Sequence, residues 1–224
     1  MFALHRDDAG PLLVGEPFRR RLADTGAHLL QVNLDDADVA AAPLRFGPGT
    51  PIRAVVSVWT DGRVADATAV LRDVDPTADG WLVEERRPLE PPPVADGVRA
   101  DALANIAFLR RPASMSPEDW RADWLDRHTA IAIRTQGTFG YVQNPVLASL
   151  TPGTSLGSGA DVAGIVEELF PTAAMTDSHA FYGSGGDEEE LKRRFTELMD
   201  SVARFGADQG LDLVPTSRYL WNLA

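Results

Sequence analysis

The sequence predicts an α+β fold made of two βαββαβ units in one chain, packed sheet to sheet. Three observations carry this: the same order of elements reads twice, a proline-rich run from Pro88 to Pro93 separates the two readings, and two helices of the second reading open on capping-box spacings. The expected organisation is a degenerate amino-terminal half over residues 1–90, a linker over 91–103 and a second half over 104–224.

In the first half, Phe2 to His5 reads as a short strand and Asp7 to Pro11 as a turn. Glu16-Pro17 opens a helix with Phe18 and Leu22 on one side, stopped at Gly26. His28 to Leu34 is the next strand. Ile52 to Trp59, β-branched and apolar on both faces, is the clearest strand of this half. Val64, Ala67, Leu71 and Val74 then make a helical stripe ended by Pro76, and Trp81 to Arg86 closes the unit. The prolines that follow cannot continue a central strand.

In the second half, Asn105 to Arg110 is the first strand. Ser116 followed by Asp119 caps a helix over 116–135, with Pro117 at its first position, where a missing N–H costs nothing. Trp120, Trp124, His128 and Ile131 share one side of that helix. Gly137 is read as a left-handed stop, leading into a strand from Thr138 to Val146. A Gly/Ser/Thr/Pro loop from Ser149 to Ala160 precedes the strand Val162 to Phe170. Asp187 with Glu190 caps a last helix, whose Leu191, Phe195, Leu198, Met199, Val202 and Phe205 form an amphipathic stripe. Leu211 to Val214 and Arg218 to Trp221 supply closing extended segments.

Composition narrows the function. A 224-residue chain that is 44% hydrophobic can bury a proper core. No apolar run approaches the roughly 20 residues of a membrane span, and Met1 to Arg6 has no secretory pattern, so a cytoplasmic protein with no membrane partner is expected. A formal charge of −12 argues against nucleic-acid binding. With no cysteine, thiol nucleophiles and thiolate metal sites are excluded. His5, His28, His128 and His179 show no ligand spacing, so no metal is expected. The glycines from 183 to 186 precede four acids, Asp187 to Glu190, which would repel phosphate.

Phe108-Leu109-Arg110-Arg111-Pro112, Met115 to Trp120, Trp124, His128 and Gly140-Tyr141-Val142-Gln143-Asn144 together resemble the EthD family over residues 104–221. Gly164-Ile165-Val166-Glu167 is similar to the family's third-strand motif, with Ala163 where an acidic residue is often seen. The resemblance implies a ferredoxin-like βαββαβ unit of the dimeric α+β barrel superfamily, which includes cofactor-free cyclases, dehydratases and monooxygenases as well as haem enzymes. Each such unit leaves one sheet face bare. Single-unit members cover it by dimerising; here the two halves are expected to do so within one chain, as a monomer with a pseudo-dimeric barrel or as a further homodimer.

Thr25-Gly26, Gln31 and Asn33 of the first half correspond to Gln136-Gly137, Gln143 and Asn144 of the second, with a one-residue slip at the asparagine. The first half lacks the long helix with its tryptophans and histidine, so any site is expected in the second half, with a ligand bound in the barrel. His128, Tyr141 and Glu167 are the candidate catalytic residues; Arg110, Trp124, Phe139 and Asn144 are candidate ligand contacts, and His179 is a further polar candidate. Histidine trades a proton near neutral pH, while tyrosine or asparagine can hold a developing enolate. Glu167, between valine and isoleucine neighbours, is either exposed at the sheet's end or a carboxylate of raised pKa.

The chemistry this suggests is cofactor-free acid/base work of dehydratase, cyclase or isomerase type on a small, mostly apolar carbonyl or aromatic compound. The alternatives are a non-catalytic binding or scaffolding module, and oxidation, either cofactor-free or haem-dependent through an axial histidine.

Overall fold

A computed structural model of the chain describes residues 1–61, 63–151 and 161–224, so most of the predicted loop from Ser149 to Ala160 lies outside the described residues. The first half comprises β1 (Phe2–Leu4), α1 (Ala9–Leu13), α2 (Glu16–Asp24), β2 (Ala27–Leu34), β3 (Ala54–Thr60), α3 (Val64–Val74) and β4 (Asp79–Val83). After it come β5 (Arg86–Leu89) and the linker. The second half comprises β6 (Leu103–Arg110), α4 (Pro117–Arg121), α5 (Thr129–Thr135), β7 (Gly140–Ser149), β8 (Val162–Phe170), α6 (Ser178–Tyr182), α7 (Glu188–Arg204) and β9 (Asp212–Asn222).

Strand order is β4-β1-β3-β2 in the first half and β9-β6-β8-β7 in the second, the same topology twice. Two seams join the sheets. β2 runs antiparallel to β9 from Leu29↔Asn222 to Leu34↔Ser217, and β4 meets β7 through Trp81↔Ser149 and Val83↔Val146. The strands β1–β4 and β6–β9 thereby close on themselves as an antiparallel barrel, the predicted pseudo-dimer within one chain. Closure removes the sheet edges that would otherwise invite pairing.

Several boundaries differ from the prediction. The last strand of the first half breaks after Val83, and Arg86–Leu89 resumes along β7 with Arg86↔Gln143 and Leu89↔Tyr141. Pro88 is tolerated there because β5 is the outermost strand. The two predicted closing segments are one strand, β9, which runs through Pro215, pairing β6 with Asp212 to Thr216 and β2 with Ser217 to Asn222. The predicted turn from Asp7 to Pro11 overlaps the short helix α1, which runs on to Leu13.

Side chains alternate between the barrel interior and the helix layers. Inside, Ala3, Val55, Trp81, Ile106, Phe108, Ile165 and Val214 form an apolar plug, with the Trp81 and Phe108 rings 5.5 Å apart. Outside, α2 and α3 cover the first half through Phe18, Leu22, Val70 and Leu71. On the second half, Trp120, Trp124, Leu198 and Phe205 pack against Ala107, Leu109, Tyr141 and Val166.

The helix over that second layer starts as predicted: Ser116 caps it, its Oγ accepting from Asp119 N at 3.0 Å. α4 then passes without a break in helical backbone through a π-helical segment, Ala122–His128, into α5. Thr129 Oγ1 donates to the carbonyls of Trp124 at 3.2 Å and Leu125 at 2.7 Å, which helps satisfy the widened turn. π-helical insertions cost backbone geometry and recur at functional sites. Gly137 is not left-handed: Gln136 ends the helix in an extended conformation, and Gly137 is needed because a side chain there would collide with the Ala180 carbonyl.

Candidate functional site

A row of polar residues crosses the helix-facing side of the second sheet. Glu168 on β8 is the direct register partner of Asn105 on β6 and of Tyr141 on β7, so the three side chains lie abreast under the helix layer. Gln136, at the end of α5, closes over them. With its amide nitrogen turned to the sheet it donates to Glu168 Oε1 at 3.0 Å and to the Ala132 carbonyl at 3.1 Å.

Burial pushes the Glu168 carboxyl up to about 7, against the opposing hydrogen bond from Gln136. This is the range in which a carboxyl can both take and give a proton at neutral pH. Burial also raises the Tyr141 phenol, and the charge of Glu168 raises it further, so Tyr141 stays a neutral donor. The Trp124 indole N–H faces that hydroxyl without reaching good hydrogen-bond geometry.

Unpaired polar atoms concentrate in this layer. Asn105 Oδ1, Gln143 Oε1, Trp120 Nε1 and Trp124 Nε1 are all buried without a hydrogen-bond partner among the described residues. Each such atom costs about 1–3 kcal/mol. Gln143 uses its other end, donating from Nε2 to Thr129 Oγ1 at 3.0 Å and so tying β7 to the π-helical segment. Gly164 allows the same segment to dock, since any side chain there would strike the Trp124 ring.

His128, the last residue of the π segment, is 6% exposed. Its Nδ1 lies 3.0 Å from Ser201 Oγ on α7, and its ring lies 4.8 Å from that of Phe205. Burial lowers its pKa to about 4, assisted by the charge of Arg204. The imidazole is therefore neutral at physiological pH. A pH consequence follows: the unfolded chain takes up this proton near 6.5 and the fold only near 4, so stability is lost as pH falls through that window. His128→Leu is expected to reduce the acid slope of denaturant-unfolding free energy by about one proton's worth; an unchanged slope would contradict the buried, neutral ring.

The structure brings His128, Trp124 and Tyr141 into one layer but divides the rest of the predicted set. Glu167 points the other way from Glu168, into the barrel, where Gln31 Nε2 donates to it at 3.0 and 3.1 Å, Asn33 Nδ2 at 2.9 Å, and Arg218 Nε lies 3.3 Å away. It is neither exposed nor in an apolar place, the two cases its neighbours suggested, because both faces of β8 are covered and polar groups from the other half surround it. Asn144 faces the same interior beside Glu167 and Arg218, around a void of only about 10 Å³. The slip at this asparagine is thus real: Gln31 and Asn33 both reach Glu167, whereas Gln143 lies outside the barrel.

Arg110 sits towards the other end of the barrel, ion-paired with Asp212 and donating to the Gly210 carbonyl. Phe139 packs with Ala100, Ala102, Ala104 and Leu169, apart from Trp124. His179 lies near the surface between Ser184 Oγ at 2.6 Å and Glu188 at 3.3 Å. Sequence reading passed over Glu168, Gln136 and Asn105. The one available signal was the two-residue period of β8, which makes the neighbours Glu167 and Glu168 alternatives rather than companions. Among the described residues no helix is long and apolar enough to cross a membrane, and no group of three or more acidic or histidine side chains is placed to hold a metal ion.

No family model matches the chain, and no curated protein matches it. Solved structures do. A candidate monooxygenase from Lactobacillus acidophilus NCFM aligns over 100% of this chain and 94% of its own, at 8% identity and a TM-score of 0.48. An anthrone oxidase-like protein aligns over 100% of this chain and 91% of its own, at 12% identity and a TM-score of 0.52. At such identities the likeness concerns the fold alone, and the second structure carries it. With the repeated topology and the two closing seams, it makes the fold an α+β barrel of two ferredoxin-like repeats, closed within one polypeptide.

Proposed function

We propose that the chain is an EthD-like protein that binds a small, mostly apolar carbonyl or aromatic compound under the helices of its second half and moves a proton on it. In this reading Glu168 is the acid/base group and Tyr141 donates to the carbonyl or enolate oxygen. The neutral His128 and the two tryptophans form the wall. The observation that supports it most is the Glu168–Tyr141 pair: a carboxyl of pKa about 7 directly across the strand from a buried phenol. A carboxyl so placed is costly to the fold, and such groups collect at functional sites. The unpaired amide oxygens of Asn105 and Gln143 supply further acceptors that a ligand could satisfy.

A binding module without chemistry is the second reading, favoured by the close filling of the layer by Trp120 and Trp124, 2% and 0% exposed. Deuterium exchange at the acidic carbon of a 1,3-diketone or a 2-tetralone, followed by NMR in D2O, separates the two. Catalysed exchange that falls about 100-fold or more in Glu168→Gln is expected of an acid/base site. Binding without any exchange above the solvent rate would leave the module reading.

A further inference from the structure

The stripe predicted along α7 does two different things. Its carboxy-terminal part, Leu198 and Phe205, enters the core, but Leu191 is only partly covered and Phe195 is 48% exposed. These two overhang a groove of about 460 Å³ whose other walls are Leu44 from the first half, Met175, Phe181 and Tyr182. The aromatic rings run outward as a ladder. Phe181 stacks on the buried Phe170 at 4.3 Å, Tyr182 meets Phe181 edge-on at 5.0 Å, and Phe195 meets Tyr182 edge-on at 5.7 Å. Such a wall offers both ring faces and ring edges to a flat apolar body.

The rim adds a charge. Lys192, the only lysine in the chain, borders the groove and has no ion pair or hydrogen bond among the described residues. The neighbouring Arg193 and Arg194 are both held by Glu190. The two acidic residues of the rim are engaged, Asp177 capping α6 by accepting from His179 N at 2.8 Å and Glu188 lying 3.3 Å from the His179 ring. The ammonium thus has no partner of its own among the described residues and stands beside an aromatic trough. Burial raises the Tyr182 phenol, and the charge of Glu168 raises it further.

We propose that this groove binds an aromatic carboxylate, its ring against Phe181, Tyr182 and Phe195 and its carboxylate at Lys192 Nζ. As the substrate class delivered to Glu168 this rests on the function proposed above; as a binding site it does not.

Calorimetric titration of the full chain with 2-naphthoate, and separately with the neutral 2-acetonaphthone, tests it. Naphthoate is expected to bind more tightly than the ketone. Lys192→Ala is expected to abolish that preference, and Lys192→Ala and Phe195→Ala each to weaken naphthoate about three- to tenfold. Both replaced residues are exposed, so the variants keep the fold. Absence of naphthoate binding, or equal affinity in wild type and both variants, would overturn the proposal. If wild type binds naphthoate with this preference while diketone exchange is unchanged in Glu168→Gln, the groove stands and the acid/base role of Glu168 falls.

Discussion

Glu167→Leu is expected to lower the free energy of unfolding by about 3–5 kcal/mol, the usual effect of removing one member of a buried ion pair. Glu167 is 3% exposed and Arg218 5%, and the carboxylate is also the acceptor for the amides of Gln31 and Asn33. Its loss leaves a buried guanidinium without its counter-charge, with only Gln31 Oε1 as acceptor for its Nε, and leaves the Gln31 and Asn33 amides with only Asn33 Oδ1 and Thr216 Oγ1. The cost arises from what remains rather than from the pair itself. Replacing both partners, Glu167→Leu with Arg218→Met, is therefore expected to recover much of the loss, a positive coupling in a double-mutant cycle by urea unfolding. Additive losses would show that the two side chains do not act as a pair. Because Gln31 and Asn33 come from β2 and Arg218 from β9, the cluster also ties the two halves at one of their seams.

The adjacent residue is expected to respond in the opposite sense. Glu168 titrates at about 4.5 when unfolded and about 7 in the fold, so the folded state binds the proton more tightly. The stability this contributes is complete below 4.5 and lost as pH rises through 7. Glu168→Gln, which cannot ionise, is expected to be near neutral at pH 4 and more stable than wild type at pH 8. A shift of this size corresponds to about 3 kcal/mol at most, and partial exposure of Glu168 reduces it to about 1–2 kcal/mol. Thermal unfolding across that range reads it directly. Equal melting temperatures at pH 8 would contradict the strained carboxyl.

That pair of glutamates also shows how far the sequence could be read. The boundaries of β8 were legible, because Val162 to Phe170 is an apolar run between turn signals, and they coincide with the structure. Which glutamate faces which layer was not. A half-exposed strand reveals its faces by alternating apolar and polar residues, but β8 is covered by the barrel plug on one side and by helices on the other. The same double coverage hid the fact that Asn144 and Tyr141 look into different layers.

Local signals fared better where local chemistry decides. Ser116 and Asp187 cap helices where their spacings said they would, and Pro117 takes the first helical position. The π-helical segment has no comparable mark in sequence, because it depends on Thr129 closing onto two carbonyls and on Gly164 admitting Trp124 from across the layer. The continuity of β9 through Pro215 likewise depends on long-range pairing, first with β6 and then with β2. On α7 the stripe was legible, but not that Phe195 would lie open at its outer end.

The central claim is that the proton-active carboxyl of the proposed site is Glu168, under the helices and beside Tyr141. Carboxyl-carbon NMR of protein labelled with ¹³C-glutamate, titrated from pH 3 to 9 in wild type and Glu168→Gln, tests it most directly. The structure predicts one glutamate resonance with a midpoint near 7 that is missing from the variant. If every glutamate titrates in the ordinary carboxylate range, or the high midpoint survives in Glu168→Gln, the site assigned here is wrong.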